Sequence, residues 1–234
     1  MTSRDRAWLL ARRGSVVTAV ALLGLVAVYV RALFFTPIER FQGPAQKIFY
    51  IHAPSAWVAL LSFAVTGLLS VLYLWLKDRR LDLGAAASAE IGVAFSVVML
   101  TTGPLWGKPI WGTWWTWDAR LTSTLFIFLL FVGYLVLRGA LSDPEVRARY
   151  SAVLGILAIP LVIFIHVTVY LFRTLHPDPV VLKPEAPSLP GEMLVTLLFS
   201  LAVFTLLYAG FLTQRYALAV LRELEDQEAA DAVS

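Results

Sequence analysis

Six uninterrupted apolar runs leave this chain very few folds. They lie at about 14–35, 48–76, 87–105, 121–137, 152–172 and 193–213. A helix needs about 20 apolar residues to cross a bilayer core. Backbone N–H and C=O groups in lipid must bond within the segment, so runs of this kind are helices. With 59% hydrophobic and only 15% charged residues, a soluble α/β domain is excluded. The expectation is an all-α integral membrane protein, a six-transmembrane-helix bundle forming one domain over 1–234. The first run follows Arg12 and Arg13 and lacks a small-residue cleavage site, so it reads as a retained helix. The second run is long enough to tilt or to project past the bilayer. No internal repeat and no low-complexity linker interrupts the pattern.

Loop charges orient the bundle. Arg4, Arg6, Arg12, Arg13, Lys77, Arg79, Arg80, Arg138, Arg147, Arg149, Arg215 and Arg222 fall on one side. Only Arg40, Lys47, Lys108, Arg120, Arg173 and Lys183 fall on the other. Cytoplasmic loops carry the Lys/Arg excess, so both termini are expected in the cytoplasm. The outer loops are then 36–47, 106–120 and 173–192. Basic residues beside membrane spans do not suggest nucleic acid. The chain has no cysteine, which removes CxxCH haem attachment, thiolate metal sites and disulfides within it.

The second outer loop holds an unusual segment, WGKPIWGTWWTWDARLTS, at 106–123. It contains Trp106, Trp111, Trp114, Trp115 and Trp117, five of the chain's eight tryptophans. Indole is large, flat and amphipathic, with one N–H that seeks a partner. Gly107 and Gly112 would let a flat ligand or another backbone come close. Lys108 and Arg120 bracket the cluster with positive charge. The combination suits a flat apolar ring system bearing anionic groups. The blander reading is an interfacial tryptophan belt, but belts are usually scattered over several helix ends. Asp118 stands just before the fourth run, either as an N-cap or as an organiser of the neighbouring Trp and Arg side chains.

Two of the three histidines reach the same face. His52 begins the second run and His176 opens the third outer loop. Each alone would pass for an interfacial polar residue. Together they offer two neutral imidazoles, which can bind one iron axially, with Lys108, Arg120, Lys47 or Arg173 available for carboxylates. His166 lies ten residues before His176. In a continuous helix that is about 15 Å, too far for the two to flank one iron. It reads as a hydrogen-bonding or pocket residue. Pro160 is expected to kink the fifth span. Glu90 and Glu192 are placed at helix starts, where the dipole favours negative charge.

The 106–123 segment resembles the tryptophan-rich WWD signature of bacterial haem-handling proteins in cytochrome c maturation. Within that superfamily the chain most resembles the haem exporter protein C (CcmC) family. YIHAPSAW at 50–57 and TLHP at 174–177 are similar to the family's two histidine segments, and the six-span layout covers nearly the whole chain. The resemblance implies haem b, bound as cargo at the outer face, with His52 and His176 as axial ligands and residues 106–120 as its platform. It implies delivery to a membrane-anchored periplasmic haem chaperone during c-type cytochrome biogenesis. It also implies an ABC-type complex with an ATP-binding subunit, a second membrane subunit and a very small membrane protein, in the bacterial inner membrane. The chain has no GxxxxGK[ST] loop, in keeping with ATP being a partner's task. It is therefore expected to be a binding and delivery protein and not an enzyme. Trp106, Trp111, Trp114, Trp115, Trp117, Lys108, Asp118 and Arg120 are its expected haem-contacting residues. Two rivals remain: a b-type electron-transfer subunit, which would want deeper and more numerous histidines, and a non-haem transporter subunit whose tryptophans only dock a partner.

Overall fold

The computed structural model describes residues 1–181 and 183–232. Its elements are helices, with no strand among the described residues. Six helical segments are long and apolar enough to cross a membrane: Ser3–Phe35, Pro44–Leu76, Arg79–Trp111, Ala119–Ala140, Pro144–Leu171 and Gly191–Asp231. We label the helices α1 (Ser3–Val30), α2 (Phe49–Leu76), α3 (Arg79–Trp111), α4 (Ala119–Ala140), α5 (Pro144–Ile156), α6 (Ala158–Leu171) and α7 (Gly191–Asp231).

Local chemistry sets the ends. Thr2 and Asp5 form a reciprocal capping box at the start of α1, which satisfies two orphan N–H groups. Asp78 caps α3 and Asp143 caps α5, where Pro144 occupies the first turn and gives up no needed N–H. The fifth span is two helices that break at Leu157. Pro160 lacks an N–H and its ring crowds the carbonyl four residues back, at Ile156. The expected disturbance at Pro160 is therefore a break one turn upstream.

Several helices extend beyond the apolar runs expected from the sequence. Helix α3 runs on to Trp111, through Pro104 and Pro109, so Trp106 and Trp111 ride on a helix and not in a loop. Helix α7 continues to Asp231, well beyond the apolar run, because its polar end is held by ion pairs. Glu90 lies about three turns inside α3, where it pairs with Arg215 of α7; only Glu192 sits in a first turn.

The first and last helices pack along their lengths. Gln214 donates to the Thr18 hydroxyl at 2.6 Å, and Arg4 pairs with Glu228 at 3.1 Å. Helices α2 and α3 form a second close pair. Between α2, α4 and α6, the rings of Phe63 and Phe131 stack with centroids 4.0 Å apart. Such a pair adds about 0.5–1.5 kcal/mol to area burial. At the end of the bundle that holds both termini, Asp82 is 2% exposed. It accepts from Arg138 at 2.6 and 3.0 Å and from Arg79 at 2.5 Å, and Arg79 reaches Glu223 at 2.6 Å. This network joins α3, α4 and α7.

Candidate functional site

The opposite end of the bundle gathers the start of α2, the end of α3, the start of α4 and the end of α6. A cavity of about 870 Å³ of empty space, counting its open mouth, lies there. Its walls carry His52, His176, Trp106, Trp111, Trp114, Trp115 and Arg120. Three expected residues stand back from it. Trp117 is 77% exposed and turns its ring edge to Trp115. Lys108 donates to the Gly112 carbonyl at 2.8 Å and sits 6.0 Å from the Trp114 ring centroid. Asp118 holds backbone. Lys47 donates to the carbonyls of Thr36 and Pro37, which fixes the first loop.

The aromatic wall is built from α3. Trp106 lies 5.6 Å from Phe49, 5.7 Å from His52 and 6.1 Å from Trp111 between ring centroids. Its indole N–H donates to Gln42 at 3.2 Å. Pro104 and Pro109 give no hydrogen bond to the carbonyls of Leu100 and Leu105, and Leu100 lines the cavity. Gly112 ends α3 in the left-handed region, with φ 73°. Its role is to close the helix, not to admit a ligand, and it is absent from the wall. Gly107 makes room for the indole of Trp111, which a Cβ would meet at 3.1 Å.

The two histidines hydrogen-bond through the same nitrogen. His52 Nδ1 is 3.1 Å from the Thr102 hydroxyl oxygen. That hydroxyl spends its own proton on the Val98 carbonyl at 2.7 Å, so it accepts from His52. His176 Nδ1 is 2.8 Å from the Pro177 carbonyl, which can only accept. Both rings therefore carry the proton on Nδ1, and both Nε2 lone pairs remain for a ligand. A second hydrogen bond of this kind is what orients metal-binding imidazoles. Sequence reasoning missed Thr102 and Gly103. A Cβ at Gly103 would meet His52 Cε1 at 3.2 Å, so only glycine leaves the ring its present place. The available signal was a polar pair, Thr101–Thr102, inside an apolar span.

Burial pushes the His176 imidazole down to about 3, and the nearby Arg120 charge adds to the shift. The ring is neutral at pH 7. Because the unfolded chain takes up that proton near pH 6.5, this burial lowers stability as pH falls from there towards 3.

Asp118 is an N-cap, and its second oxygen bonds Thr116 and Leu175 and not a Trp or Arg side chain. Oδ1 accepts from the N–H groups of Arg120 and Leu121 at 3.0 Å each, capping α4. Oδ2 accepts from Thr116 at 2.9 Å and from the N–H of Leu175 at 3.4 Å. The carboxylate thus ties the tryptophan segment to the residue before His176. Burial alone would raise its pKa, but the bonds from Leu121, Thr174, Thr116 and Leu175 outweigh it and hold it below the usual carboxylate range. The stability that this gives is complete above the ordinary value and is lost as pH falls through the lowered one. Asp118→Ala is expected to cost about 1 kcal/mol in unfolding measurements in detergent, and to free the loop that carries His176 from protease protection. Unchanged stability and protection would reduce Asp118 to a surface charge.

Arg120 is the cation at the site. Its Nη1 donates to the Ile165 carbonyl at 3.1 Å, which leaves the rest of the guanidinium fork for an anion. His166 also reaches this region. Helix α6 ends at Leu171 and the chain doubles back, so His166 and His176 line one adjoining cavity. No group of three or more His, Cys, Asp and Glu side chains gathers among the described residues. Two imidazoles suffice for a metal whose other positions are already filled.

Six membrane-length helices and an aromatic cavity lined by two imidazoles and a guanidinium define a helical membrane protein with an open, aromatic-walled pocket. The model of one family, "Heme exporter protein C", matches residues 3–231. The chain is 36% identical to the heme exporter protein C of Haemophilus influenzae over 204 residues, covering 87% of this chain and 82% of that one. It is 37% identical to that of Bradyrhizobium diazoefficiens, over 89% of this chain and 76% of the relative. A putative cytochrome c biosynthesis ccmC-like mitochondrial protein of Marchantia polymorpha is 34% identical over 81% of this chain and 79% of its own length. The chain belongs to the heme exporter protein C family.

Proposed function

We propose that this protein binds haem b as cargo at the outer face of the bacterial inner membrane and delivers it to a periplasmic haem chaperone in c-type cytochrome biogenesis. His52 and His176 supply the axial nitrogens, Trp106, Trp111, Trp114 and Trp115 face the ring, and Arg120 takes a propionate. Lys108, Trp117 and Asp118 act one layer out, holding the loop that carries the platform. The observation that carries the reading is the pairing of the two histidines. They come from a helix and a loop 124 positions apart in sequence, yet line one cavity with both Nε2 atoms free.

The Lys/Arg bias supports cytoplasmic termini and a cavity on the periplasmic side. The chain works as one six-span domain. Its partners are an ATP-binding subunit, a second membrane subunit and a very small membrane protein, and ATP hydrolysis belongs to the first of these. The protein positions its cargo for transfer and is not itself the catalyst of a turnover reaction.

The test is an absorption spectrum of the purified protein after haem is added, oxidised and reduced. Low-spin, bis-imidazole bands are expected. The absence of any bound haem would overturn the reading in favour of a docking subunit. Thr102→Val refines the test. It removes the acceptor that fixes the His52 tautomer and should weaken haem affinity by about 10–100-fold while the protein keeps its fold. Unaltered affinity would show that Thr102 does not orient the ligand.

A further inference from the structure

A second, larger cavity of about 1230 Å³ adjoins the first, and His52, Trp106, Arg120 and His176 belong to the walls of both. Helices α6 and α7 each pack on α2 and make no extensive contact with one another, so a strip of α2 lies between them as a cleft, lined in addition by residues 177–181 of the outer loop. The floor of that strip is small, at Ala53 and Ala56. Trp57 donates to the Thr205 hydroxyl at 2.9 Å, bridging α2 and α7. The lining reaches Leu60, about 16 Å from the start of α2, so the cleft occupies the outer part of the span. Its flank on α7 is the exposed Ala202, and its flank on α6 is His166. The His166 imidazole makes no hydrogen bond among the described residues and stands edge-on to Tyr170, 6.4 Å between centroids.

We propose that this cleft is a lateral entrance through which haem passes from the outer leaflet of the bilayer to the His52–His176 site, with His166 as the first iron ligand on the way. The proposal rests on the haem reading above. The chemistry favours this occupant over a lipid chain or a neighbouring helix. An apolar, aromatic-sided slot suits a flat amphiphile. Its inner end has the cationic Arg120 and two imidazole nitrogens, which neither an acyl chain nor an apolar helix would use. Passage is an exchange of axial ligands: the bond from iron to His166 breaks as a bond to His52 or His176 forms, and no electron moves.

The full chain in nanodiscs, mixed with phosphatidylcholine vesicles carrying ferric haem, gives the test by stopped-flow absorption. Ala202→Trp fills the cleft from an exposed position. It is expected to slow loading at least tenfold while the final low-spin spectrum matches that of wild type. His166→Phe keeps a planar ring without a ligand nitrogen, and is expected to slow loading and remove the early spectral phase. Wild-type loading rates in both variants would overturn the entrance, as they would if a lipid or a helix occupied the cleft permanently. Should Ala202→Trp fail to insert, a wild-type rate in His166→Phe overturns the proposal and a slowed one supports it. Wild-type protein that takes up no haem would sink the haem reading, and the entrance with it. Normal final loading at an unaltered rate would sink the entrance alone.

Discussion

Replacing both His52 and His176 by alanine is expected to abolish the low-spin haem spectrum and to weaken haem binding by more than about 100-fold, beyond the range seen when only an orienting partner of a ligand is lost. Each single replacement should leave a five-coordinate, high-spin species, because the other imidazole keeps its own orienting bond to Thr102 or to Pro177. Neither ring is part of the main hydrophobic clusters, so the variants should insert and purify normally. The spectrum of the double variant, read beside its yield and its detergent stability, is the decisive measurement. A double variant that retains wild-type bands would move the axial ligands elsewhere, with His166 as the remaining imidazole.

Asp82→Ala is expected to produce the largest loss of stability of any single change at the opposite end. The carboxylate is buried and receives three charged hydrogen bonds from Arg138 and Arg79. Its removal strands Arg138, which is 12% exposed, without its partner. Breaking a buried pair from one side costs about 3–5 kcal/mol, because an uncompensated charge stays behind. Combining it with Arg138→Leu should recover much of that loss, since replacing both partners removes the stranded charge. Equilibrium unfolding in mixed micelles checks both expectations. A loss below about 1 kcal/mol for Asp82→Ala would mean that water reaches the pair and screens it.

The apolar runs made all six spans legible, since a membrane-length run has few alternatives. The charge pattern and the two histidines pointed to one end of the bundle, where the cavity lies. What stayed hidden was settled by contacts. Helix α7 outlasts its apolar run because Arg215, Glu223 and Glu228 find partners on α3 and α1, and no local pattern announces a partner so distant in sequence. Helix α3 carries two prolines to Trp111 because its end packs Trp106 against Phe49 and His52, which overrides the local preference to stop. His166 was legible as a pocket residue, and it lines the adjoining cavity with His176. Arg120 was visible as a charge, but its tether to Ile165 was not.

The pairing of α1 with α7 has a consequence for biogenesis. The partner of the first helix is the last to be made, some 160 residues later in the chain. At about 5–20 residues per second, α1 waits on the order of ten to thirty seconds with the Thr18 hydroxyl unanswered in the bilayer or the insertion machinery. A nascent chain stalled before Gly191 would hold a half-built site that has His52 and His176 but lacks one wall of the cleft, and quality-control proteases could recognise it by that exposed seam.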